Sequence, residues 1–240
     1  MSNADLLSAN ISKLEQILRS YVNHIRLQTA LSEDIREFDI LCSALDAIGD
    51  AEEGISSYME MDDPPDSGSR YIVLYGILQI LFVEQDAVSA ISKIFSLNER
   101  QSEEIKEIRE IRNYNIGHPV PNLENKPACF ISRSEMRLKR FKLMLCWPNK
   151  KTEFRAVNVP NLIRRQQHAL STTLRAVIEK LREEEISHRQ KFGKYKLSDI
   201  LHPSLPWLLS KLGTARTPDD KKLALGHLNI MTCSPICPRL

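Results

Sequence analysis

Apolar residues return every three or four positions over most of this chain, the signature of successive amphipathic α-helices that bury one face each. Leu7, Ile11, Leu14, Leu18, Tyr21 and Ile25 keep that spacing and predict a first helix from Leu7 to about Thr29. Ser32, Glu33 and Asp34 mark a fresh start, and Ile35, Phe38, Leu41, Leu45 and Ile48 carry a second helix toward Met59. Two prolines, a glycine and short polar residues between 61 and 69 predict a loop. A third helix, Arg70 to about Leu97, is apolar on most sides, which predicts burial. Ser96 and Glu99 have capping-box spacing, so a fourth helix starts there or at Ser102 and ends near Ile116.

After Pro119 the period changes. Ala128 to Ser132, Phe141 to Trp147 and Phe154 to Val159 read as short strands, with Pro148 to Lys151 as the turn between the last two. A long helix resumes from Asn161 to about Lys191. The expected fold is mainly α: an up-down helical bundle over residues 1–196 with a small antiparallel β insertion at about 128–159. A short-helix C-terminal tail, 197–240, follows, broken by Pro203, Pro206, Gly213 and Pro218. Thr217-Pro218-Asp219-Asp220 within it has the residues of a helix start.

With 42% hydrophobic residues in 240, the chain can bury a sizeable core without metal or disulfides. Its five cysteines are odd in number and scattered, which points to a reducing compartment. The N-terminus lacks the apolar run of a signal peptide. The longest uncharged stretch, Tyr71 to Val83, falls short of the roughly 20 residues that cross a bilayer. A cytoplasmic protein with no membrane partner is expected. The net charge of +2 conceals an acidic first third, with 4 basic and 14 acidic side chains in residues 1–69. Residues 131–159 carry 8 basic against 2 acidic, and residues 160–196 carry 9 against 4. Attraction within the fold, an anionic partner and solvated helix faces all fit that imbalance. No phosphate-binding glycine loop, serine-nucleophile motif or catalytic carboxylate pair is present, and no cofactor is implied. Cys233 and Cys237 with His227 form one ligand pair where zinc sites usually have two, so no metal is assigned.

The chemically suggestive segment is Arg112-Asn113-Tyr114-Asn115-Ile116-Gly117-His118-Pro119. Ile105, Ile108, Arg112 and Asn115 are spaced three, four and three, which puts a guanidinium on an apolar stripe where it needs a partner. Pro119 and Gly117 end the helix there and set His118 just past the cap. On the third helix Gly76, Gln79, Val83, Asp86, Ala90 and Lys93 form a small and polar stripe that matches it. Two readings stay open. Asp86 or Glu84 pairs with Arg112 while His118 caps carbonyls, or Arg112, Asn113 and His118 converge as a site with Gln79, Glu84 and Asp86 in support.

The Arg-Asn, four residues, His spacing closing a helix after a long buried one resembles the motif of the HEPN superfamily. Tyr75 to Gln79 with Glu84 to Ala87, the strand beginning Phe130-Ile131-Ser132-Arg133 and the return Pro160 to Ile163 resemble an uncharacterised bacterial HEPN-like branch over roughly residues 1–190. The resemblance implies metal-independent RNA cleavage by a homodimer, with the substrate 2′-hydroxyl as nucleophile, as in a toxin or defence effector held by an antitoxin or other protein partner. By that resemblance His118 is the general acid or base, Arg112 holds the phosphate and Asn113 orients either. Arg137, Lys139, Arg140, Lys142 and Trp147, with Phe141, would contact RNA, or would simply be the wet face of the strands. The superfamily also contains non-catalytic helical modules that bind a protein or nucleotide partner, and fold does not choose between them.

Overall fold

The computed structural model describes residues 10–23, 35–97, 102–117, 127–147 and 150–192. Among these residues five α-helices appear in chain order: α1 (Ile11–Tyr21), α2 (Ile35–Glu60), α3 (Ser67–Ile94), α4 (Glu103–Arg112) and α5 (Val159–Phe192). A π-helical turn, Asn113–Gly117, continues α4. Between it and α5 lie β1 (Ala128–Ile131), a 3-10 turn (Arg133–Glu135), β2 (Arg140–Cys146) and β3 (Glu153–Asn158). The fold is therefore mainly helical with one three-stranded antiparallel sheet in the order β1-β2-β3. The helix starts expected at Ser32 and Thr217, the whole 197–240 tail, Cys233, Cys237 and His118 lie outside the described residues.

Local chemistry sets the ends. Asp66 accepts from the Ser69 N–H at 2.8 Å and starts α3 at Ser67, three residues before the expected Arg70. Ser96 does not begin a helix: with φ of 50° it closes α3, its N–H donating to the Lys93 carbonyl at 3.0 Å. Ser102 caps α4 instead. Pro160 occupies the first turn of α5, whose Asn161 N–H donates to Asn158 Oδ1 at 3.0 Å.

Two apolar clusters fill the interior of the unit Met1–Leu181. One joins α1, the first half of α2, the end of α3 and the middle of α5 through Leu14, Leu45, Ile91 and Val177. The other joins the end of α2, the start of α3, α4 and the inner face of the sheet through Ile55, Leu78, Ile108, Phe141 and Leu143. Gly54 lets α2 approach α3 closely, since a Cβ there would sit 2.8 Å from Ile80 Cδ1. By length and composition α3 is apolar enough to cross a membrane, yet Leu74, Ile77, Leu81, Val88 and Ile91 are buried in these clusters, as in a central core helix. The second unit is Arg182–Leu240; its described part is the end of α5, where Arg189 pairs with Glu185.

The central strand alternates cleanly. Phe141, Leu143 and Leu145 of β2 point into the core while Lys142, Met144 and Cys146 point away. The Tyr58 hydroxyl donates to the Leu138 carbonyl, and the Leu138 N–H donates to Asp63 at 2.7 Å, tying the turn before β2 to the end of α2 and its loop.

Candidate functional site

The site is built where α4 leaves its regular geometry. Ile105, Ile108 and Ile111 bury one face of α4, and Arg112 sits at the edge of that face, half-buried. Its Nε and Nη2 donate to Gln79 Oε1 at 3.2 and 2.8 Å, and its Nη1 donates to Asn113 Oδ1 at 3.1 Å. The guanidinium lies over the Phe82 ring, 4.5 Å from its centroid. The π turn begins at Asn113, and such turns interrupt helices frequently at functional sites. Asn115 is buried within it, donating to the Ile111 carbonyl at 2.6 Å, and so does not share a ligand-facing stripe with Arg112. Tyr114 donates to Glu110 at 2.9 Å; burial first, then Glu110, pushes its hydroxyl up to about 12.

The polar stripe of α3 does meet α4, with different partners from those expected. Asp86 binds Arg109, not Arg112, and Arg109 shares the Phe82 ring at 4.5 Å. Among the described residues Arg112 forms no ion pair; the neutral amides of Gln79 and Asn113 hold it. Glu84 faces elsewhere, five residues and therefore well over a quarter turn away from Gln79. It is fully buried and accepts from Gln166 Nε2 at 2.6 Å, while Gln166 also binds Gln85 at 2.6 Å and the Leu81 carbonyl at 3.0 Å. Burial, reinforced by Glu52 and opposed by the Gln166 hydrogen bond, pushes the Glu84 carboxyl up to about 8. Gln85 also lines a cleft of about 900 Å³ with Ser89, Ser102, Arg165 and His168, away from Arg112.

The basic residues of the insertion divide. Arg140 and Lys142 lie on the outer face of β2, Lys142 pairing with Glu135 at 2.6 Å. Arg137 is exposed beside Asp63 at 4.0 Å. Lys139 instead turns its Nζ onto the Tyr58 and Met59 carbonyls at the end of α2, where a cation satisfies the last turn. Phe141 belongs to the core, and Trp147 is half-buried, its ring 5.2 Å from Lys150 Nζ. Sequence reasoning missed Phe82, although it lies three residues after Gln79 and four before Asp86 and so fits the stripe as well as Val83 does. It also missed Glu107, which binds both Arg155 of β3 and Arg165 of α5. No family model, curated protein sequence or solved structure matches the chain.

Proposed function

We propose that this chain is a HEPN-like, metal-independent endoribonuclease working as a homodimer, in the manner of a toxin or defence effector. The observation that carries the reading is the state of Arg112: held in orientation by Gln79, Asn113 and the Phe82 ring, with no carboxylate among the described residues cancelling its charge. A planar, pre-positioned and uncompensated guanidinium suits a scissile phosphate, because its fork takes two oxygens and no counter-ion need be displaced. In the proposed reaction a 2′-hydroxyl attacks the adjacent phosphorus and the 5′-oxygen leaves, giving a 2′,3′-cyclic phosphate. Arg112 stabilises the charge that gathers on the non-bridging oxygens, Asn113 keeps its fork in plane, and His118 moves the proton that leaves the 2′-hydroxyl to the departing 5′-oxygen.

A second copy would complete the site. On the stripe of α3 that carries Gln79, Ile72 is 75% exposed and Tyr75 and Val83 are 38% exposed, with open space around Gly76. That apolar stripe next to a cationic end supports a homodimer with both Arg112 side chains near its axis. Arg137, Arg140 and Lys142 would meet the RNA backbone. The test is incubation of the full chain, freed of any co-purifying inhibitory protein, with total RNA in EDTA. Wild type should cleave, and His118→Ala should lose about 100 to 10,000-fold in rate at unchanged melting temperature. Absence of cleavage across varied RNAs would overturn the reading.

A further inference from the structure

The outward face of the sheet presents something the cleavage reading does not use. Register places Phe130 of β1 opposite Met144 of β2, and Met144 opposite Phe154 of β3, so the three side chains form one row across all three strands. Phe130 is 51% exposed and Phe154 62%, and the two neighbours of Phe130 in sequence, Cys129 and Ile131, are buried. Two rings stand two strand spacings apart, about 10 Å, with a flexible thioether between them. Arg140 and Lys142 share this face, and Lys142 Nζ lies 5.8 Å from the Phe154 ring centroid. Glu135, paired with Lys142, is the acidic group beside them. At the β1 edge Phe130 continues into a cleft of about 430 Å³ lined by Tyr71, Tyr75, Tyr114, Asn115 and Arg133. Tyr114 belongs to the π turn that follows Arg112, so this cleft lies beside the element that carries the candidate site.

We infer that this face is a stacking platform for single-stranded RNA, leading the strand toward Arg112; in naming that substrate it rests on the reading above. Three side chains cannot supply the roughly 800 Å² per partner of an ordinary protein interface. A base needs only the face of one ring, and cations at the rim suit the backbone between bases. The surrounding segment agrees in sign, with 8 basic against 2 acidic residues in 131–159. A duplex keeps its base faces stacked inside and has nothing to offer these rings.

Fluorescence anisotropy of a labelled 2′-O-methyl oligoribonucleotide of about a dozen nucleotides, titrated with the full chain at low salt, tests this. The probe lacks the 2′-nucleophile, so binding is read whether or not the chain cleaves RNA. Wild type should bind the single strand at least 10-fold more tightly than the matching duplex. Phe130→Leu with Phe154→Leu keeps apolar bulk but removes both rings, and should weaken binding about 10-fold or more with melting temperature unchanged. Phe130→Tyr with Phe154→Tyr should bind within about 3-fold of wild type. Failure of wild type to bind, equal binding of duplex, or full affinity in the leucine variant overturns the inference. Probe binding without cleavage of natural RNA would overturn only the ribonuclease reading, and cleavage with an indifferent leucine variant only this one.

Discussion

Glu84 offers the sharpest test of the packing. Its side chain is fully buried, with Oε2 accepting from Gln166 and Oε1 lacking a partner, and the Glu52 carboxylate lies near. Burial raises the carboxyl from 4.5 to about 8, so the folded protein carries a proton at neutral pH that the unfolded chain releases. A group whose folded value is raised contributes its full stability below the unfolded value and loses it as pH climbs through the folded one. Stability attributable to Glu84 is therefore intact below about pH 4.5 and falls away toward pH 8 and above. At about 1.4 kcal/mol for each tenfold change in proton affinity, the displacement bounds the loss at about 5 kcal/mol; relaxation around a buried charge brings it to a few.

Glu84→Gln removes the titration and keeps the shape. The amide oxygen still accepts from Gln166, and the amide N–H replaces the acid proton facing Glu52. Urea unfolding followed by circular dichroism, at pH 5, 7 and 9, compares the two proteins at equal slope. The variant should be close to wild type at pH 5 and more stable by at least about 2 kcal/mol at pH 9. Other titrating groups are common to both proteins and cancel in the difference. A difference that stays flat from pH 5 to 9 would show that Glu84 ionises freely and that the layer between the two apolar clusters is wet.

Replacing Gln79 by Glu should fill the fork of Arg112 with a carboxylate, abolishing RNA cleavage at a melting temperature equal to or above that of wild type; retained cleavage would count against Arg112 as the phosphate ligand. Lys139→Met should cost about 1 kcal/mol in thermal unfolding, because the last carbonyls of α2 lose their cation. Glu107→Gln should cost about 1 kcal/mol at pH 7 by breaking the ties to Arg155 and Arg165. Burial opposes ionisation of Glu107, but hydrogen bonds from Arg165 and Arg155 outweigh it and hold its carboxyl below the usual range. That contribution exists above the unfolded value and disappears as pH falls, so melting temperatures of Glu107→Gln and wild type should converge near pH 3.

Helix positions and strand alternation were legible because each depends on residues near in sequence. Ser102 marks the start of α4 as expected, and the switch from period 3.6 to period 2 places the strands, while Asp66 in the loop conceals a start three residues earlier than Arg70. Pairing between elements was not legible, since it depends on register. Gln79 meets Arg112 and Asp86 meets Arg109, so the partners run in opposite senses along α3 and α4. Advancing one turn on α4 means retreating on α3, which takes Arg112 away from Asp86. Glu84 looked like a candidate partner only while its face was unknown. The burial of Phe141 beside the exposure of Phe130 and Phe154 likewise depended on which side of the sheet the helices cover.

Arg109 and Arg112 make the same approach to one aromatic ring a single turn apart, and what separates them is one atom type on α3. Asp86 gives Arg109 a carboxylate, so an arriving anion must displace an ion already bound. Gln79 gives Arg112 an amide oxygen, which fixes direction without cancelling charge. Phe82 attracts both cations and covers one face of each from water, strengthening the field on the opposite face. Two positively charged side chains so close would repel if neither were paired; Asp86 relieves that repulsion and leaves Arg112, among the described residues, as the one of the two without an ion pair. The neutral residue at position 79 and the acidic one at 86 thus give two packed arginines different partners, an amide oxygen for Arg112 and a carboxylate for Arg109.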